Sequence, residues 1–190
     1  MINGVDSPNS KAIAPIRLRR AVVVGLLLFW SCSVSFLFAR QQASQSDQST
    51  PEQVVESVYR LVSSKAGKTP DWNAVRSLFL ENSVVVLRVS KDSTAVFSLQ
   101  GFIDDFIRFY SIPAVQKNGF TEKIVRMKPM VIGNIAQILV LYEAHVPGTA
   151  RPPQQGVDSW ELVRQNNKWL IVSVTNEIPT KDRPLPKELQ

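Results

Sequence analysis

The sequence predicts an α+β domain over residues 50–178, with helices early in the chain and a largely antiparallel sheet after them. Two patterns indicate this fold class. Segments before Phe120 carry apolar residues at helical spacing, whereas from Phe120 onward the apolar residues lie in extended runs broken by turn residues. Helices followed by consecutive strands are typical of an α+β domain, because a parallel sheet needs crossovers between its strands.

The domain begins with two helix starts of the same kind. Thr50 can cap a helix, Pro51 suits its first turn, and Gln53 lies three residues after the cap, as in a capping box. Thr69-Pro70 repeats the pattern ahead of a short second helix, so we expect a helical hairpin. The buried face of that second helix is predicted to hold Trp72, Val75, Leu78 and Phe79.

The middle of the domain predicts a strand pair and a third helix. Residues Ser83 to Val89 are mostly Val and Leu and predict a strand, with Thr94 to Leu99 pairing back after a polar turn. Gly101 then opens an amphipathic helix that Pro113 stops.

Four extended stretches close the domain. They run from Glu122 to Ile132, Ile135 to Val146, Val157 to Arg164, and Trp169 to Ile178. Gly133-Asn134 and Asn166-Asn167 predict hairpin turns, because Gly and Asn tolerate positive φ. Both faces of the second stretch are largely apolar, so we expect one face to pack on the helices and the other to meet a second subunit.

Charge and composition exclude several function classes. The net charge of +6 divides equally between residues 1–39 and 40–190 and is not concentrated on one element, which argues against nucleic-acid binding. The single cysteine, Cys32, precedes the domain, and the single histidine is His145. With no carboxylate cluster and no glycine-rich phosphate loop, we predict no metal site and no cofactor.

The segment Ala21–Ala39 is predicted to deliver the domain out of the cytoplasm. Arg17, Arg19 and Arg20 precede this uncharged run, and a positive flank before an apolar core is typical of an export signal. Its length lies between a signal core of about 7–15 residues and the roughly 20 residues of a membrane span. We favour cleavage near Ala39 over a retained membrane anchor. Either outcome predicts a periplasmic or extracellular domain, with a linker at 40–49 and a tail at 179–190.

The order of elements and several strings resemble the nuclear transport factor 2-like superfamily, which includes SnoaL-like and ketosteroid-isomerase-like proteins. The strings are GFIDDFIRFY from Gly101, VIGNIAQILVLYEA from Val131, and WELVRQNNKWLIVSVTNEIP from Trp160. The resemblance implies a cone-shaped, cystatin-like roll, in which a curved antiparallel sheet wraps around three N-terminal helices. It also implies a pocket at the wide end and a homodimer formed through the sheet. Because the superfamily includes isomerases, dehydratases, hydrolases and members without known activity, the fold does not decide whether this protein is an enzyme.

Four residues are candidate catalytic groups. An isomerase of this kind would need a phenolic donor and a carboxylate base, which suggests Tyr59 and Tyr142 as donors. Glu143 and His145 lie two residues apart on one face of a strand, with Cβ atoms roughly 7 Å apart, and could line one wall. Solvent exposure at the strand end is the alternative for this pair.

The candidate ligand-binding residues are Trp72, Phe106, Trp160 and Asn176, with core packing as the alternative role for the aromatic ones. Three functions remain open at this point. The first is a domain that binds a small apolar ligand, the second is an isomerase or dehydratase, and the third is a dimerising interaction module of the cell envelope.

Overall fold

The computed structural model describes residues 50–190. The predictions for the export segment at 21–39, for Cys32 and for the linker at 40–49 lie outside this range. Within residues 50–190, no helix is long and apolar enough to cross a membrane.

The first helix, α1 (Pro51–Val62), has the predicted capping box: the backbone N–H of Gln53 donates to the Thr50 hydroxyl, and the Gln53 side chain accepts from the Thr50 N–H. The second helix, α2 (Trp72–Arg76), differs from the prediction. Its cap is Asp71, whose carboxylate accepts from two backbone N–H groups, so Thr69-Pro70 does not start it. Because α2 ends at Arg76, Phe79 belongs to the next strand.

Two further helices follow the first strand pair. The helix α3 (Leu99–Tyr110) begins two residues before Gly101, because the Ser98 hydroxyl caps it by accepting from the Gly101 N–H. A short helix that the sequence did not predict, α4 (Pro113–Asn118), starts at Pro113. Pro113 therefore lies just beyond the end of α3 and is the first residue of α4. At that position the backbone N–H would have no partner within the helix, so its absence has no cost.

Within the described residues, seven strands form one sheet. The strand bounds are β1 (Ser64–Lys65), β2 (Phe79–Ser90), β3 (Ser93–Ser98), β4 (Gly119–Ile132), β5 (Ile135–His145), β6 (Gln154–Gln165) and β7 (Lys168–Glu177). Their order across the sheet is β1-β4-β5-β6-β7-β2-β3. The α+β class is confirmed, but the sheet is mixed, because β2 pairs with β7 in parallel. In the chain, β2 and β7 are separated by four other strands, β3 to β6, yet they are neighbours in the sheet.

One face of β5 packs on the helices, as predicted. Ala136, Ile138 and Val140 are buried against the helices, whereas Ile135 and Gln137 are exposed. Both predicted hairpin turns form, with positive φ at Gly133, Asn166 and Asn167. The core lies between this inner face and the helices α1 and α3.

The segment after β7 packs onto the domain. It ends in a short 3₁₀ helix, Lys187–Leu189, in which Leu189 is only 1% exposed. The Arg126 guanidinium of β4 donates to the backbone carbonyl of Gln190. Residues 179–190, predicted as a tail, thus cover part of the outer surface near β4.

Candidate functional site

A small cavity lies between the helices and the inner face of the sheet. Its volume is about 150 Å³, and its walls come from α1 and α3 on one side and from β2 and β4 to β7 of the sheet on the other. We call it the central cavity. Its polar lining is formed by Tyr59, Arg88, Glu122, Tyr142, Asp158, Asn176 and the indole of Trp160.

Four of these polar side chains form a hydrogen-bonded network around Asp158. The Tyr59 hydroxyl donates to Asp158 Oδ2 at 2.5 Å, and Asn176 Nδ2 donates to Asp158 Oδ1 at 2.8 Å. Asn176 Nδ2 also donates to the Tyr142 hydroxyl at 3.0 Å, and Trp160 Nε1 donates to the Tyr59 hydroxyl at 3.2 Å. Both carboxylate oxygens of Asp158 are therefore occupied by protein donors.

The network leaves one donor available to the central cavity. Tyr59 uses its proton on Asp158, and Asn176 uses its two on Asp158 and Tyr142. Tyr142 accepts a hydrogen bond, while its own proton has no protein acceptor within residues 50–190. That proton can serve a ligand.

Burial shifts the pKa values of the network. It raises the pKa of Asp158 to about 6, although the hydrogen bonds from Tyr59 and Asn176 act in the opposite direction. Burial first, and then the charge of Asp158, raise the pKa values of Tyr59 and Tyr142 above the usual 10. At pH 7, Asp158 is therefore mostly ionised and both phenols are protonated.

Glu122 is the second carboxyl group of the central cavity. Burial, followed by the negative charge of Asp158, raises its pKa to about 8. Its side chain makes no hydrogen bond to residues 50–190, whereas its backbone N–H donates to the Ser63 hydroxyl at 2.8 Å. At pH 7 Glu122 is mostly protonated, and a modest rise in pH turns it from a proton donor into a base.

Arg88 lines the central cavity but is held by another residue. Its Nε and Nη2 atoms donate to the two carboxylate oxygens of Glu177 at 3.1 and 2.5 Å. The hydrogen bond from Arg88 is the main reason that the pKa of Glu177 is lowered. This bidentate pair joins β2 to β7 beside the cavity, so Arg88 is not available as a free cation.

The structure brings five of the predicted site residues together and separates three. Tyr59, Phe106, Tyr142, Trp160 and Asn176 line the central cavity. Trp72 does not line it and packs on Phe106 and Tyr110, with ring centroids 5.8 and 5.9 Å apart.

Glu143 and His145 lie away from the central cavity, which corrects the prediction that they act there with the tyrosines. Tyr142 points to the inner face of β5, and alternation places Glu143 on the other face, where it accepts a hydrogen bond from Gln155. His145 lines a separate cleft at the end of the strand. Within residues 50–190, no group of three or more His, Cys, Asp or Glu side chains is arranged to hold a metal ion.

The sequence did not indicate two residues of the central cavity, Asp158 and Glu122. Asp158 shares the inward parity of Trp160 and Leu162, and an acidic residue in such a row signals a buried polar site. Glu122 is harder to find, because the pairing of β4 with β5 shifts register between Ile124 and Arg126. Met127 lies on the inner face of β4. Simple alternation from Met127 would place Lys123 on that face and Glu122 on the outer face, which is wrong because of the register shift.

No protein-family model matches the sequence, and no curated protein matches it. Solved structures do match its fold. A nuclear transport factor 2-like protein of unknown function from Pseudomonas putida KT2440 aligns with a TM-score of 0.56 at 10% identity, over 78% of this chain and 97% of that one.

Two structures from Novosphingobium aromaticivorans are also similar. A nuclear transport factor 2-like protein with a cystatin-like fold has a TM-score of 0.53 at 17% identity, over 80% of this chain and 96% of the other. A scytalone dehydratase-like protein has a TM-score of 0.52 at 10% identity, over 77% and 89%. The chain therefore has a nuclear transport factor 2-like α+β fold, which confirms the resemblance. At these identities the similarity concerns the fold alone.

Proposed function

We propose that residues 50–190 form a small-ligand-binding domain, delivered outside the cytoplasmic membrane by the export segment at 21–39. The observation that carries the binding function is the central cavity, where apolar walls surround a few convergent polar groups. Sites for small molecules commonly have this composition. The location is supported by the arginines that precede the apolar segment.

The volume of the central cavity limits the ligand. Pockets for drug-sized molecules have about 300–1,000 Å³, whereas an engineered cavity of roughly 150 Å³ holds benzene. The central cavity has the smaller of these volumes, about 150 Å³. We therefore propose a ligand no larger than a single ring with one or two substituents.

The hydrogen-bond donors that the protein leaves available in the central cavity define the polarity of the ligand. At pH 7, Tyr142 and protonated Glu122 both offer an O–H, while each Asp158 oxygen already accepts a hydrogen bond from the protein. A ligand with a hydrogen-bond acceptor, such as a ketone oxygen, complements these donors. An ammonium group would have to compete with Tyr59 and Asn176 for the Asp158 carboxylate.

Binding of cyclohexanone, followed by protein NMR chemical shifts, tests this proposal. Tyr142→Phe removes the free donor and is expected to weaken binding about tenfold, the equivalent of one hydrogen bond of roughly 1.4 kcal/mol. Tyr110→Phe is the matched control, because the Tyr110 hydroxyl donates to the Val62 carbonyl and does not line the cavity. If cyclohexanone fails to bind, or binds equally to both variants, the proposed ligand class is wrong.

A second candidate function is proton transfer of the isomerase type, favoured by Glu122 alone. A carboxyl group with a pKa of about 8 and no protein hydrogen bond on its side chain suits a general base near neutral pH. Ionised Glu122 would take a proton from the carbon next to a carbonyl, and the Tyr142 proton would stabilise the resulting enolate oxygen. Similarity to a scytalone dehydratase-like fold is compatible with this chemistry but does not establish it.

Deuterium exchange into cyclohexanone in heavy water separates this candidate from simple binding. Glu122→Gln should abolish exchange while preserving binding, because the amide keeps the shape and cannot accept the proton. Glu161→Gln, on an exposed position of β6, is the matched control and should exchange normally. Binding without exchange in the unmodified protein would leave the binding function and reject the enzymatic one.

A homodimer through the sheet is a separate proposal. Met130, Val131, Ile132 and Ile135 at the β4–β5 hairpin are 57%, 46%, 66% and 56% exposed, an unusual concentration of apolar surface. The same surface would serve the alternative role of an envelope interaction module.

A further inference from the structure

A second concave site lies at the far end of the sheet from the β4–β5 hairpin. It is lined by the ends of α3 and β5, by α4, by the start of β4 and by the loop between β5 and β6. Its volume is about 600 Å³, and it shares no lining residue with the central cavity. We call it the distal cleft.

Apolar side chains that belong to a packed cluster form the floor of the distal cleft. Phe109 and Phe120 pack edge to face, with ring centroids 4.8 Å apart, and Val115 and Val146 join the same cluster. Phe120 and Val115 are buried. Because these residues are held by the fold, the floor is formed before any ligand arrives.

The polar rim of the distal cleft carries positive charge without a compensating acid. Arg151 is exposed and makes no hydrogen bond or ion pair within residues 50–190, and His145 also contributes to the lining. The lining contains no Asp or Glu. A guanidinium offers paired N–H donors that match the two oxygens of a carboxylate.

We propose that the distal cleft binds an apolar small molecule bearing one carboxylate, with the hydrocarbon part on the Phe109–Phe120 floor and the carboxylate on Arg151. A volume of about 600 Å³ accommodates a larger molecule than the central cavity does. The two sites would then select opposite chemistries: a neutral hydrogen-bond acceptor in the centre and an anion at the end. This inference does not depend on the function proposed for the central cavity.

Phenylbutyrate is a suitable probe, because it joins an aromatic ring to one carboxylate and has a neutral isostere, phenylbutyramide. Binding to the full-length chain is measured by calorimetry and by NMR of the His145 ring. Arg151→Ala is expected to weaken phenylbutyrate binding about tenfold and to leave phenylbutyramide unchanged. Arg164→Ala is the matched control, since Arg164 is also exposed and lies outside the distal cleft.

A second variant tests the apolar part of the cleft. Ala114 lines the cleft from an exposed position on α4, so Ala114→Trp should fill the space without disturbing the core and should block both probes. Thermal unfolding of each variant verifies that it is folded.

Three results would overturn the proposal. They are no binding of phenylbutyrate to the unmodified chain, equal affinity in the Arg151→Ala and Arg164→Ala variants, and equal affinity of the unmodified chain for phenylbutyramide.

Discussion

The Tyr59 hydroxyl lies 2.5 Å from Oδ2 of Asp158 and joins α1 to β6 across 99 positions of the chain. Since Asn176 occupies the other oxygen, this carboxylate is part of the framework of the central cavity rather than a partner for the ligand. The network instead directs the Tyr142 hydroxyl, whose proton remains available. The chemistry of the cavity therefore falls to Tyr142 and Glu122.

Replacing Tyr59 with Phe should destabilise the domain. The change leaves Asp158 Oδ2 without its donor and Trp160 Nε1 without its acceptor, and a buried unsatisfied group costs about 1–3 kcal/mol. Urea unfolding should therefore show a loss of roughly 2 kcal/mol or more. A loss below about 0.5 kcal/mol, the range of ordinary surface substitutions, would mean that the bond contributes little to stability.

The stability of the domain should fall as the pH rises from about 4.5 to 8. Burial raises the pKa of Glu122 from 4.5 to about 8, so the folded state holds a proton that the unfolded chain has already lost. This contribution is complete below the unfolded value and disappears as pH rises through the folded one, with a slope of at most about 1.4 kcal/mol per pH unit. Asp158 adds a similar effect between 3.8 and about 6.

Urea unfolding across this pH range, for the unmodified protein and for Glu122→Gln, measures the effect. Glu122→Gln should flatten the dependence between pH 6 and 8, where Glu122 is the main contributor. Glu161→Gln should leave the profile as it is. An unchanged slope in Glu122→Gln would show that Glu122 is not desolvated in solution.

Gly156→Ala should damage the central cavity specifically. A β-carbon at Gly156 of β6 would overlap the ring of Tyr142 on the neighbouring strand, so the ring must leave the position in which its hydroxyl accepts from Asn176. We expect lower stability and weaker cyclohexanone binding, measured by thermal unfolding and NMR. Gly101→Ala is the control, because a β-carbon there meets only ordinary contacts inside a helix, where Ala is favoured over Gly.

The proposed dimer predicts a response to charge on the β4–β5 hairpin. Ile132→Lys places a cation on a side chain that is 66% exposed, so the fold should tolerate it. Sedimentation should show a dimer for the unmodified protein and a monomer for the variant. A monomer in both cases removes the dimer and the interaction module together.

The export proposal predicts a shortened chain outside the cytoplasm. Fractionation followed by mass measurement should find a product that begins near residue 40 if the segment at 21–39 is removed. A full-length chain in the membrane fraction would indicate an anchor instead. A full-length chain in the cytoplasm would contradict export.

Alternation and turn chemistry made the sheet predictable. The hairpins at Gly133-Asn134 and Asn166-Asn167 formed where residues that tolerate positive φ interrupt apolar runs. The parallel pairing of β2 with β7 was not predictable in the same way, since no local pattern records which distant strands become neighbours. The cap of α2 is a similar case. Both Thr69 and Asp71 can cap a helix, and the structure shows that Asp71 does so.

Only part of the candidate site could be predicted from the sequence, for a related reason. Tyr59 and Tyr142 could be proposed from residue chemistry, but their partners depend on which way each strand residue points. Register shifts reverse that direction in β4 and in β7, where inward parity passes from Trp169 and Ile171 to Val174 and Asn176. Glu122 was hidden for this reason.

The parallel pairing of β2 with β7 has a consequence for biosynthesis. Arg88 and Glu177 lie 89 positions apart, so the ribosome must synthesise β7 before β2 can pair with it. Long-range pairing of this kind slows folding. Late completion of the fold is compatible with the proposed export, because a chain that is still unfolded can pass through a translocation channel.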